Sequence, residues 1–231
     1  MTIEASSKPP RETPDLEGIR AETEQIMCGH ARDRTWRAVN EIRSLLKPGM
    51  TELEAIGSAN SLMAKMGVKK FWHRTHVRFG PSTVLSFDDP YLKDVRLQAD
   101  DIANIDIGPI WDGVEGDAGC AVVFGHDPKM IIIAADVKLI FDQVRSAWLE
   151  SHWTGEKLHL FAEETARSLG YLLHPTYVKG HRLAEFPHSF YSKGQNLFDL
   201  AVEPKSKRWV LEIHICEPNM KFGAFYEDIL F

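Results

Sequence analysis

The stretch Ile102-Ala103-Asn104-Ile105-Asp106-Ile107-Gly108-Pro109-Ile110-Trp111-Asp112-Gly113-Val114-Glu115-Gly116-Asp117 sets two aspartates, Asp106 and Asp117, eleven residues apart in an apolar frame. Its pattern predicts a β-hairpin: a strand from Ile102 to Ile107, a turn near Trp111-Asp112-Gly113, and a returning strand from Val114 to Phe124. A turn centred on Trp111-Asp112 puts Asp106 directly opposite Asp117. A turn on Asp112-Gly113 makes them diagonal neighbours on the same face. A carboxylate inside an apolar run is costly unless it is paired or metal-bound. Two like charges at that distance repel, so the arrangement calls for a cation. A divalent metal site fits.

On the N-terminal side, residues 1 to about 15 are rich in Pro, Ser and charge and read as a flexible tail. A long helical pattern follows, with Ile19, Ile26, Trp36, Val39, Ile42 and Leu46 near helical spacing, and Lys47-Pro48-Gly49 stops it. Thr51-Glu52-Leu53-Glu54 is a capping box that starts a second helix through about Met66. From Phe71 to Phe87 the residues turn β-branched and aromatic, broken by a turn at Gly80-Pro81-Ser82. On the C-terminal side, Asp127-Pro128 opens a helix to about His152, and Thr154-Gly155 opens another that ends at Gly170. The remainder reads as strands: Tyr171 to Val178, a segment around Phe186, Trp209 to Cys216, and Phe225 to Phe231. Two rough halves, each a helix pair followed by strands, make a single α+β domain over 16–231 with a curved antiparallel sheet the economical expectation.

Lys+Arg 27 against Asp+Glu 33 gives a net charge of −6, which argues against a nucleic-acid surface. The longest apolar run, Met130 to Ala135, is too short for a membrane span. Cys28, Cys120 and Cys216 form neither zinc spacing nor a disulfide framework, so a reducing cytoplasm is expected.

More acids and histidines interrupt the later apolar segments. His181 follows Gly180, and His188 lies seven residues on. Glu212 and His214 share one face of the strand Trp209 to Ile215. Glu227 breaks the strand Ala224 to Leu230. Taken singly, each reads more simply as a solvent-facing or ion-paired group; together they suggest one polar centre. Asp106, Asp117, Glu212 and Glu227 bring four negative charges, which two divalent cations would neutralise, with His181 adding a nitrogen. Such a set suits Mn, Fe, Co or Zn. Two metals can activate water and polarise a carbonyl.

The order of these residues resembles the "pita-bread" metallopeptidases, the family of methionine aminopeptidase, aminopeptidase P, prolidase and creatinase. Leu46-Lys47-Pro48-Gly49-Met50-Thr51-Glu52-Leu53-Glu54 is similar to the family's helix–Pro-Gly-x-Thr-x-x-Glu element. Gln98-Ala99-Asp100-Asp101-Ile102 is similar to its lead-in to the first metal strand. The resemblance covers about residues 20 to 231. It implies a pita-bread α+β fold, with helices covering a curved antiparallel sheet of two pseudo-symmetric halves. It also implies that Asp106 binds one metal, that Asp117 and Glu227 bridge two, and that His181 and Glu212 complete the other shell. By the same resemblance Glu212 is the general base, and His188 contacts the substrate or tetrahedral intermediate.

The sequence departs from the family in three places. Thr83-Val84-Leu85-Ser86-Phe87-Asp88-Asp89-Pro90 holds no histidine where family peptidases carry one, which leaves His73 and His76 as the nearby imidazoles for substrate. Gly180-His181-Arg182-Leu183-Ala184 replaces Gly-His-Gly-x-Gly, which narrows the space beside the metal and makes Arg182 a candidate substrate contact. Ile213 replaces a proline, and His214 becomes a competing ligand. The leading expectation is a dinuclear metal hydrolase of the aminopeptidase or Xaa-Pro-peptidase kind, cleaving a peptide or amide C–N bond. A creatinase-like hydrolase or a lyase on the same site is the alternative, and an inactive binding module ranks last. The expected partner is a small peptide or small-molecule amide; monomer and homodimer both remain open.

Overall fold

The computed structural model describes residues 21–174, 179–183 and 196–231. The N-terminal tail, the segment around Phe186, His188 and part of the strand expected over Tyr171 to Val178 lie outside the described residues.

The helices begin where capping chemistry allows. Helix α1 (Ala21–Leu45) buries Ala31, Thr35, Ala38, Val39 and Ile42, three and four residues apart along one face. Helix α2 (Glu52–Lys65) opens on the expected box: Thr51 accepts the Glu54 N–H, and the Glu54 carboxylate accepts the Thr51 N–H at 2.8 Å. Thr51→Ala should lose about 1 kcal/mol and lower the thermal unfolding midpoint by about 2–4 °C, read by circular dichroism. Helix α3 (Pro128–Ser151) is capped by Asp127, with Pro128 at its first position, and closes on His152 in the left-handed region. Thr154 caps α4 (Gly155–Ser168).

The strands are β1 (His76–Phe79), β2 (Asp101–Ile107), β3 (Ile110–Trp111), β4 (Val114–Glu115), β5 (Ala118–Phe124), β6 (Leu172–Leu173), β7 (His181–Arg182), β8 (Trp209–Cys216) and β9 (Gly223–Ile229). One antiparallel sheet runs β1-β2-β5-β9-β8-β6, with β7 also paired to β8. The first half supplies β1, β2 and β5, and the second supplies the rest. They meet at β5–β9, where Gly119 lies opposite Glu227 and Cys120 opposite Tyr226.

Alternation along the strands divides the sheet into two unlike faces. Val77, Phe79, Ala103, Ile105 and Ile107 pack under α1 and α2. Leu211, Ile213, Ile215 and Ala224 pack under α3 and α4. Each fully buried aliphatic side chain contributes roughly 1.5–3 kcal/mol, and this helix-covered face offsets the cost of burying acids on the second face. Glu227 and Asp228 illustrate the division. Asp228 turns to the helices, where Arg32 of α1 grips it through Nε at 2.8 Å, and Glu227 turns the other way.

Several sequence expectations change. The hairpin turns on Asp112-Gly113, both at positive φ (53° and 89°), as the tight two-residue turn demands. Asp106 therefore faces Gly119, and Asp117 is its diagonal neighbour. The return strand is broken at Gly116-Asp117 into β4 and β5. Gly80-Pro81-Ser82 enters a 3₁₀ turn, Gly80–Val84, because Pro81 fixes the backbone at its start. Among the described residues of Tyr171 to Val178, only Leu172–Leu173 pairs as a strand. No helix among the described residues is long and apolar enough to cross a membrane.

Candidate metal centre

The cross-strand register sets one row of side chains on the uncovered face: His76 opposite Asp106, Asp106 opposite Gly119, Gly119 opposite Glu227, and Glu227 opposite Glu212. Asp117 leads into β5, and His181 starts β7. The five expected ligands, Asp106, Asp117, His181, Glu212 and Glu227, thus converge from both halves on the floor of a cavity of about 340 Å³. The His181 Nε2 lies 2.8 Å from Asp117 Oδ2 and 3.8 Å from Glu212 Oε1. The Gly180 N–H donates to Glu212 Oε2 at 2.8 Å.

His73, expected as a substrate contact, sits on this floor: its Nε2 is 3.3 Å from Asp117 Oδ1 and 3.5 Å from Asp106 Oδ1. His76 lines the cavity wall, with its Nε2 accepting from Arg74 at 2.9 Å and its Nδ1 3.0 Å from the Tyr91 hydroxyl. Arg182 is buried on β7 but is not part of the cavity lining. His214, the competing ligand, donates from Nε2 to the Thr83 carbonyl at 2.7 Å and stacks on His174, so that nitrogen is committed. Trp72 and Phe87 line the cavity, whereas Phe79 is core. Sequence reasoning missed Arg78 and Asn104 in the wall. Asn104 carried a readable signal, because it precedes Asp106 by two residues and so shares its face.

Burial and the facing charges together set the protonation. Burial raises the Asp106 carboxyl to about 7, against the opposing pull of His73. Burial and the facing acids, Asp106 first, push Glu227 well above its ordinary value. Burial also raises Glu212. Asp117 goes the other way: burial opposes its ionisation, but His73 and His181 outweigh burial and hold it at about 2. Burial disfavours charge on both histidines too, yet the carboxylates around His73 and His181 raise each to about 9. Asp106 Oδ1 and Glu227 Oε1 are buried with no hydrogen-bond partner among the described residues. Buried polar atoms are normally paired, so these two are the atoms a cation would satisfy. Four acids and two imidazoles form a donor set that fits divalent transition metals.

These shifts give the metal-free protein a pH profile of definite sign. Asp106 holds a proton in the folded state that the unfolded chain sheds near its ordinary value of 3.8, so stability falls as pH rises toward about 7. The two histidines favour folding fully below 6.5, and that contribution is lost as pH rises through about 9. The melting temperature of chelator-treated protein should therefore drop between pH 6 and 9. Added Mn²⁺ or Co²⁺ should raise it more at pH 8 than at pH 6, because the ligands must lose their protons to bind. A melting temperature that is flat over this range without metal would contradict the assignment.

Residues 28–230 match the family model described as metallopeptidase family M24. No curated protein matches the sequence significantly. Among solved structures, the chain is similar to a prolidase from Pyrococcus furiosus (20% identity, TM-score 0.75, 93% of this chain and 62% of that one). It is similar to an X-Pro aminopeptidase from Thermotoga maritima MSB8 (20%, 0.73, 90% and 58%). A methionine aminopeptidase from Thermotoga maritima matches over nearly equal lengths (16%, 0.66, 94% and 92%). The chain spans less than two thirds of the first two. At these identities the likeness establishes the pita-bread α+β fold.

Proposed function

The chain belongs to metallopeptidase family M24, and on that premise we propose that it is a hydrolase using two divalent cations to cleave a C–N bond in a small peptide or amide. The observation that carries the reading is the pair of buried oxygens, Asp106 Oδ1 and Glu227 Oε1, that accept no hydrogen bond among the described residues and sit among four convergent acids. Asp106, Asp117, His181, Glu212 and Glu227 would hold the ions. When bound, the ions supply Lewis acidity and activate water.

The remaining chemistry falls to this chain's own residues. Glu212 has one oxygen fixed by the Gly180 N–H and the other toward His181, so its carboxylate is held in place as a proton acceptor that can return the proton to the leaving nitrogen. Trp72, Leu85, Phe87 and Phe225 give the cavity an apolar wall that excludes water around the reacting bond. His188 remains the candidate contact to the tetrahedral intermediate, by resemblance.

One observation favours a second reading, non-peptidase chemistry on a small molecule. Phe87 and Asp88 line the cavity in the very stretch, 83–90, that holds no imidazole. The test is turnover by metal-loaded protein on Xaa-Pro dipeptides, Met-leading peptides and creatine-like amides. Cleavage of a peptide supports the first reading, and turnover confined to the amides supports the second. Wild-type protein that binds no Mn²⁺, Fe²⁺ or Co²⁺ after reconstitution would end both.

A further inference from the structure

Resting on that reading of the site, we infer that His73 is a metal ligand, giving each of the two cations its own imidazole. Two triads each bring their three ligand atoms within 4.8 Å of one another: His73, Asp106 and Asp117 form one, and Asp117, His181 and Glu227 the other. Asp117 belongs to both. Its Oδ1 faces His73 at 3.3 Å, and its Oδ2 faces His181 at 2.8 Å.

The two histidines are held alike. His73 Nδ1 lies 2.8 Å from the carbonyl of the next residue, Arg74, and His181 Nδ1 lies 3.1 Å from the carbonyl of its own next residue, Arg182. A carbonyl at Nδ1 fixes the proton there and leaves the Nε2 lone pair facing the acids, which is how protein imidazoles are set for metals. Trp72 contacts both rings, at 4.3 Å from His73 and 4.8 Å from His181, and its indole N–H is anchored on Gly116 O at 3.0 Å.

The fold makes room for this ring. A Cβ on Gly108, directly after β2, would stand 2.3 Å from His73 Nε2 and 2.1 Å from its Cδ2, so any other residue there would exclude the imidazole from the floor. The topology gives the same answer. Each half of the sheet supplies two acids, Asp106 in β2 with Asp117 at the entry to β5, and Glu212 in β8 with Glu227 in β9. Each half also supplies one histidine at its outer side, His73 just before β1 and His181 in β7. A nitrogen donor from His73 shifts the preference of the first-half cation toward later transition metals over Mn²⁺.

The test is Co²⁺ titration of chelator-treated full-length protein, followed by visible absorption and by proton NMR in water. Wild type should bind two equivalents and show two exchangeable, strongly shifted imidazole N–H signals, one from each histidine. His73→Gln should weaken one equivalent at least about tenfold, the lower end of the loss from disturbing even an outer-shell partner, and keep one imidazole signal. Two bound Co²⁺ with a single imidazole signal in wild type would overturn the inference without needing a variant. Unchanged affinity for both ions in His73→Gln would overturn it as well. Both of those results leave the proposed hydrolase intact. Wild type that binds no Co²⁺ overturns the proposed function, and this inference with it.

Discussion

Asp117→Asn should strip both cations at once and reduce hydrolysis by on the order of 10³-fold or more, the scale of losing a principal electrostatic group in an active site. The reason is positional. Asp117 is almost fully buried, and its two oxygens serve different histidines in different triads. An amide keeps the shape but turns one oxygen into a donor aimed at an imidazole. Asp106 lies in only one triad, so Asp106→Asn should cost mainly one equivalent of metal. The metal-free proteins should separate further. Asp106 is held near 7 by burial and like charge, so neutralising it at pH 8 should leave the melting temperature equal or higher. Asp117 is held near 2 by the two histidines, so neutralising it removes a favourable pairing and should lower the melting temperature. Metal content by emission spectrometry and melting by fluorescence read both effects. Equal metal loss in the two variants, or retained activity in Asp117→Asn, would contradict the shared role.

How much of this was legible beforehand depends on whether a feature is local. The Thr51 box, the Asp127-Pro128 start and the Thr154 cap are local chemistry, and each helix starts where its cap stands. The acids were legible because strand alternation is strict: Asp106, Glu212 and Glu227 each interrupt an apolar run on the face opposite the core. The register was half legible, because Asp112-Gly113 is the better turn only once positive φ at both residues is weighed against the alternative. His73 was visible only as a nearby imidazole. It lies outside any strand, so no periodicity aims it, and its place depends on the space that Gly108 leaves across the hairpin. His214 misled for the complementary reason. It shares a face with Glu212, but a loop carbonyl far away in sequence, that of Thr83, takes its nitrogen. His188 rests on the resemblance alone and lies outside the described residues.

Gly119→Ala should combine a loss of stability with a loss of metal, because one methyl group would strike three different structures. Gly119 faces Asp106 on one side and Glu227 on the other, at the seam where the two halves of the sheet join. A Cβ there would lie 2.7 Å from Glu227 Oε1, from the Ile105 carbonyl and from the Phe225 ring. Glu227 can yield only by swinging into the cavity and away from the facing acids, and the Ile105 carbonyl is sheet backbone. Overpacking of this kind costs about 1–3 kcal/mol, which corresponds to a midpoint lower by roughly 2–12 °C for a chain of this size. Displacement of Glu227 should also weaken the triad it shares with Asp117 and His181, by at least about tenfold in metal affinity. Gly57→Ala is the control. It sits on the exposed face of α2 with nothing within 4 Å of the added methyl, and there alanine should be neutral or stabilising by up to about 1 kcal/mol. A Gly119→Ala protein that melts like the control and binds both metals normally would show that the seam is looser than its register implies, and that Glu227 reaches the metal by another route.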